Sequence, residues 1–162
     1  MIALRFGAVA ARLALAAGLG LLPATASAAA LPDGGVSAQE MAQVLRAKGY
    51  QTEILAGDDG EPKIRSSAGD TRFVVYLFGC QKRTRCASIQ FASGFQAERI
   101  APARIAEWNA TKRFGRASQD EDGDPWLEMD VELAHGGSTE LLAANLERWE
   151  SVLGAYGRWV GK

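Results

Sequence analysis

Leucine, alanine and glycine fill almost every position from Leu13 to Leu22. Arg5 and Arg12 stand before this run, Pro23 breaks it, and Ala26-Ser27-Ala28 follows. A basic start, a short apolar stretch and an A-x-A site predict a secretory signal peptide over residues 1–28, cleaved after Ala28. The stretch is short for a membrane span, which takes about 20 apolar residues. No second run of that kind follows, so no membrane span is expected after cleavage. The working domain is then residues 29–162, placed in the periplasm or secreted.

From Val36 the spacing becomes helical. Ser37-Ala38-Gln39-Glu40 reads as a capping box, in which the Ser hydroxyl and the Glu carboxylate each satisfy one orphan N–H. Val36 can staple onto Met41. Met41, Val44 and Leu45 share a face with the methylene stem of Lys48, and Gly49 ends the helix in the left-handed conformation. The pattern then shortens to strands over Gln51–Leu55, Lys63–Ser67, Phe73–Phe78 and Cys86–Ala92. Asp58-Asp59-Gly60 and Ala68-Gly69-Asp70 mark turns between them. The run Phe73-Val74-Val75-Tyr76-Leu77-Phe78 is apolar at every position, which predicts a central strand covered on both faces.

Pro102 suits the first turn of a helix, where its missing N–H costs nothing. Ile105, Trp108 and Asn109 recur at helical spacing. Lys112 and Arg113 are expected in the last turn, where cations favour the carbonyl end, and Gly115 is the expected stop. A hairpin turning at Asp122-Gly123 follows. In its second strand Leu127, Met129, Val131 and Leu133 alternate with Trp126, Glu128, Asp130 and Glu132, the signature of a half-buried strand. His135-Gly136-Gly137 reads as a loop. Ser138 caps a final helix striped by Leu142, Leu146, Trp149, Leu153 and Tyr156. The order α-β-β-β-β-α-β-β-α predicts an α+β domain with about three helices on an antiparallel sheet.

Charge narrows the function classes. The chain carries 18 basic and 19 acidic residues, and the signal segment removes two arginines and no acid. A weakly acidic domain gains nothing from a polyanion, so nucleic acid is excluded as a partner.

Candidate chemistry is sparse. Cys80 and Cys86 flank the tip of a predicted hairpin, where opposed strand positions lie at bridging distance. In an exported chain this pair predicts a structural disulfide, contributing about 2 kcal/mol for so short a loop. The five-residue spacer is unlike a redox Cys-x-x-Cys. Asp120-Glu121-Asp122-Gly123-Asp124 invites a calcium reading. However, aligning Gly123 with the loop's sixth position puts Ser118 first and Met129 twelfth, and both ends fail. His135 is the lone histidine, and there is no Gly-x-Ser-x-Gly elbow to partner it. Neither metal nor cofactor is expected. Glu128 and Asp130 are the one carboxylate pair that could serve an enzyme or a small-ligand site.

The densest cluster of special residues is Trp108-Asn109-Ala110-Thr111-Lys112-Arg113-Phe114-Gly115-Arg116. Trp108 reads as a helix anchor, Asn109 as a backbone-bonding side chain, and Trp149 as a core anchor of the last helix. The basic residues face the acidic hairpin and can pair with it locally. Arg113, Arg116 and Trp126 also form a candidate recognition surface, because Trp and Arg are enriched at interface hot spots. Trp-Asn-x-x-Lys-Arg-Phe-Gly-Arg-Ala, followed by Asp-x-Asp-Gly-Asp-Pro-x-Leu-Glu-Met-Asp, closely resembles the YbjN family, often labelled bacterial sensory transduction regulators. The resemblance covers about Ser37 to Leu153. It implies a fold similar to type III secretion chaperones, an antiparallel sheet carrying helices and often dimerising, and it supplies no catalytic residues. The signal segment and the hairpin cysteines depart from cytoplasmic members. The expected function is therefore an exported, non-enzymatic protein-binding module, chaperone-like or regulatory in the cell envelope, with an unidentified protein partner or a second copy of itself; the alternative is a small-ligand binder or enzyme with a carboxylate site near Glu128 and Asp130.

Overall fold

The computed structural model describes residues 29–161 apart from Asp33, Asp58, Arg83 and Glu98. The expected signal peptide lies outside the described residues, as does Asp58 of the first expected turn. In chain order the elements are β1 (Ala30–Leu31), α1 (Ala38–Ala47), β2 (Thr52–Ala56), β3 (Pro62–Ala68), β4 (Thr71–Gln81), β5 (Arg85–Gly94), α2 (Pro102–Thr111), β6 (Arg116–Gln119), β7 (Pro125–Glu132), β8 (Gly137–Ser138) and α3 (Thr139–Val160). Six strands make one antiparallel sheet in the order β2-β3-β4-β5-β7-β6. The α+β class and the element order agree with the sequence reading. The addition is the two-residue pair of β1 with β8, whose Gly137 falls in the stretch expected to be loop.

The capping box at Ser37 and Glu40 is present in both directions. Glu40 also accepts from Arg85 at 2.8 Å. Burial pushes the Glu40 carboxyl up, but the Ser37 backbone and the Arg85 guanidinium outweigh it and hold the carboxyl below its ordinary value. A depressed carboxyl stabilises the fold above the unfolded pKa, and that contribution is lost as pH falls through the folded value. Glu40→Gln is therefore expected to cost about 1 kcal/mol at pH 7 and little near pH 3. Urea midpoints of both proteins at the two pH values check this.

α1 is tied to α3 by Lys48–Glu147 and by the Tyr50 hydroxyl donating to Glu150. Burial and that carboxylate push the Tyr50 hydroxyl up to about 12. The helices share one core with the inward face of the sheet. Ile64, Phe73, Val75, Leu77, Ile89, Phe91, Leu127, Met129 and Val131 meet Met41 and Leu45 of α1 and Leu142, Leu146, Trp149, Leu153 and Tyr156 of α3. Trp149 is fully buried, stacked on Phe91 at 5.6 Å between ring centroids and edge-on to Phe73 at 6.0 Å.

Two expectations need correction. β4 is covered on one face only. Phe73, Val75 and Leu77 are buried, whereas Val74 and Tyr76 are half-buried and Phe78 is 38% exposed. An unbroken apolar run signals two nonpolar faces, and here the second faces outward. α2 also ends earlier than expected, at Thr111, so Lys112 is the extended cap residue and Arg113 lies beyond the helix. The reason is tertiary. Phe114 adopts a positive φ of 72°, which turns the chain back along α2. Gly115 then passes so close to the core that a Cβ there would sit 2.4 Å from Val152 and 2.8 Å from Leu127.

Candidate functional site on the open sheet face

The outward face of the sheet is built by the alternate residues of its strands. On β4 these are Val74, Tyr76 and Phe78, with the Tyr76 and Phe78 rings nearly parallel at 6.2 Å. On β7 they are Trp126, Glu128 and Asp130. The indole of Trp126 lies across β5 at Gly94, where an added Cβ would come within 2.9 Å of the ring. Its Nε1 donates to Asp120 at 3.0 Å. The other oxygen of Asp120 accepts the backbone N–H groups of Asp122 and Asp124. The indole donor and these amides hold the Asp120 carboxyl below its ordinary value, against the opposing effect of burial. The acidic turn is thus a clamp that fixes the orientation of Trp126.

Trp126 stands as a ridge between two shallow hollows. One, of about 460 Å³, is lined by residues including Glu61, Lys63, Tyr76, Phe78 and Glu128. The other, of about 350 Å³, is bordered by Arg65, Arg72, Val74 and Asp124 among others. Apolar floor and charged rim are the usual anatomy of a protein-contact surface.

The sequence-derived candidates separate in space. Arg116 and Trp126 share the outward face, opposite Glu128 and Ser118 in register. Arg116 pairs with Glu128. Arg113 is elsewhere: its guanidinium lies over Phe114, as does that of Arg148 from α3. Glu128 and Asp130 are taken up separately, Asp130 by the Gln90 amide at 2.9 Å. Trp108 is buried and donates from Nε1 to the Gly115 carbonyl at 3.0 Å. Asn109 donates to the Ala117 carbonyl at 3.0 Å and accepts the Ala117 N–H at 2.8 Å. Cys80 and Cys86 face each other across β4 and β5 with sulfurs at bonding distance, 2.13 Å. Among the described residues no group of three or more His, Cys, Asp or Glu side chains stands ready to hold a metal. His135 sits exposed in the turn before β8.

The motif spanning α2 and β6 thus has a defined job: Trp108 and Asn109 reach across to the returning chain, and Gly115 permits its close passage. Residues 37–162 match the YbjN family model, described as "Putative bacterial sensory transduction regulator". The chain belongs to the YbjN family. No curated protein and no solved structure matches it. In this YbjN domain the sequence reading named Trp126 as a candidate and did not name Tyr76, Phe78 and Lys63, which line the same hollow. The usable signal was the evenly apolar stretch of β4, whose second face was assigned to the interior.

Proposed function

We propose that this chain is an exported, non-enzymatic binding module, regulatory or chaperone-like, that takes a segment of another cell-envelope protein on the open face of its sheet. The observation that carries the reading is the fixed Trp126 at one end of a hollow that half-buried Tyr76 and exposed Phe78 also line, with no described helix packed over them. A rigid aromatic with hollows on either side is the form of an interface anchor. The rims differ in charge. Glu61 and Glu128 lie on one side with Lys63, and Arg65 and Arg72 lie on the other. A partner segment with apolar residues astride Trp126 and opposite charges toward the two ends fits this layout. Regulation is what the family description supports, and the chaperone-like alternative rests on the fold that the family resemblance implies. Export is supported by the signal pattern of residues 1–28 and by the paired cysteines, which suit an oxidising compartment.

The test is capture from a cell-envelope extract with wild type and with Trp126→Ala/Phe78→Ser. A specific partner held by wild type should be lost by at least tenfold in the variant, a deficit of about 1.4 kcal/mol or more. Circular dichroism verifies that the variant is folded. Equal capture of the same partner by both would remove the open face from the reading. Mass spectrometry of the exported protein should give an N-terminus at Ala29.

A further inference from the structure

Phe114 is the most exposed large apolar side chain among the described residues, at 52%. Its φ of 72° lies in the left-handed region, where a bulky residue is a rare outlier. The turn between α2 and β6 needs that conformation, and glycine would adopt it freely. The glycine of this turn stands one position later, at Gly115, where close packing against Val152 and Leu127 requires it. A phenyl ring kept at residue 114 against the strain, and left in solvent, calls for an explanation that neither the turn nor the core supplies.

Two arginines meet on that ring. The guanidinium carbon of Arg113 lies 4.7 Å from the ring centroid, and that of Arg148, from α3, lies 4.6 Å from it. Buried Asn145 orients the second. Its carboxamide donates to the Leu141 carbonyl at 2.9 Å and accepts from Arg148 Nη1 at 2.6 Å. The ion pairs among the described residues all lie elsewhere. The acidic turn, the local partner expected for Arg113, has Asp120 taken up by Trp126 and by its own amides. Two like charges are thus brought together on one exposed ring, with no described carboxylate paired to either. An aromatic ring is negative on its faces and positive at its edge. The faces attract guanidinium groups, and the edge adds its weak positive field to theirs. Each guanidinium presents its N–H groups as a planar fork that matches a carboxylate in two bonds.

We propose that Arg113, Phe114 and Arg148 form a clamp for a carboxylate in an acidic segment of a partner protein. The carboxylate sits at the edge of the ring, within reach of both guanidinium forks. Phe114 is the platform that holds the two cations together. Charge selects this occupant. Residues 29–162 carry more acidic than basic side chains, so an extended anionic lipid surface would gain these arginines and be opposed by the domain around them. A single acidic side chain on a peptide needs only the clamp. The ring is also unsuited to entering a bilayer, because guanidinium groups lie on it. The clamp stands apart from Trp126. Arg113 shares its ring with Arg148 of α3, whereas Arg116 of the same motif pairs with Glu128 on the open face. It is a second contact point, independent of the open face.

The test is fluorescence anisotropy with a dye-labelled hexaglutamate peptide at low salt, where charge pairing is least screened. Hexalysine with the same dye is the control. Wild type should bind hexaglutamate and leave hexalysine free. Arg113→Ala and Arg148→Ala should each weaken binding about tenfold, the loss of one charge-assisted contact. Arg148→Lys should lose nearly as much, because an ammonium keeps the charge and not the fork. Phe114→Gly should also bind about tenfold more weakly, while its urea midpoint stays at or above that of wild type, since glycine takes this φ without strain. Trp126→Ala should bind hexaglutamate as wild type does, which separates this result from partner capture on the open face. Failure of wild type to bind hexaglutamate would overturn the proposal. So would binding that survives Arg113→Ala combined with Arg148→Ala, or a Phe114→Gly variant that binds in full, whatever its midpoint. Pelleting of wild type with phosphatidylglycerol vesicles, lost in the two arginine variants, would assign the arginines to lipid phosphate and overturn it as well.

Discussion

Trp149→Ala is expected to remove about 3–5 kcal/mol, the range for deleting a large, fully buried aromatic. Stability of a domain this size is commonly 5–15 kcal/mol, so the variant should be partly unfolded near body temperature. The size of the loss follows from where the ring sits. It is the contact through which α3 meets the middle of the sheet, stacked on Phe91 of β5 and edge-on to Phe73 of β4. Phe73 in turn meets Tyr50, the residue that ties the chain after α1 to Glu150. Removing the indole therefore loosens three elements at once. Trp149→Phe should lose well under half as much. It keeps a ring in the stack, and the indole N–H it deletes is buried without a protein acceptor, so no hydrogen bond to protein is lost. Urea denaturation with fluorescence and circular dichroism on the three proteins checks the ranking.

That ranking could have been drawn from the sequence, since Trp149 falls on the apolar stripe of a capped helix. Helix α1 was legible for the same reason: Ser37, Glu40 and Gly49 specify its ends by local chemistry, whatever packs against it. The alternation through Leu127, Met129, Val131 and Leu133 likewise fixed which side of β7 is buried. The errors arose where long-range contacts decide. The stretch from Phe73 to Phe78 states that both faces of β4 are apolar, but periodicity cannot say whether a second layer exists to cover the outer one. The end of α2 depends on a turn at Phe114 and on the side chains of Trp108 and Asn109 meeting residues beyond it, so cation placement near a helix end was a weak guide. The same limit scattered the recognition candidates. Arg113 and Arg116 are close in sequence, yet the turn between them sends one toward α3 and the other onto the open face.

Asn109, whose carboxamide takes both the N–H and the carbonyl of Ala117 in place of a neighbouring strand, is the residue whose loss tests the β6 edge of the sheet most directly. Asn109→Ala should destabilise the domain by about 1–2 kcal/mol, because it removes the two hydrogen bonds that the carboxamide makes to the N–H and carbonyl of Ala117 at a part-buried edge. Asn109→Asp separates the two bonds. Its carboxylate can still accept the Ala117 N–H, but the second oxygen now faces the Ala117 carbonyl, and two acceptors repel. Protonation supplies an O–H that can donate there. The carboxyl in this variant should therefore have a folded pKa above its unfolded value, and its deficit relative to wild type should shrink as pH falls below that folded pKa. Hydrogen exchange reports the split at a single site. The Ala117 amide should lose protection in Asn109→Ala and keep most of it in Asn109→Asp. Equal loss of protection in both variants would mean that α2 as a whole has come off the edge, and that the carboxamide does not act as the substitute strand.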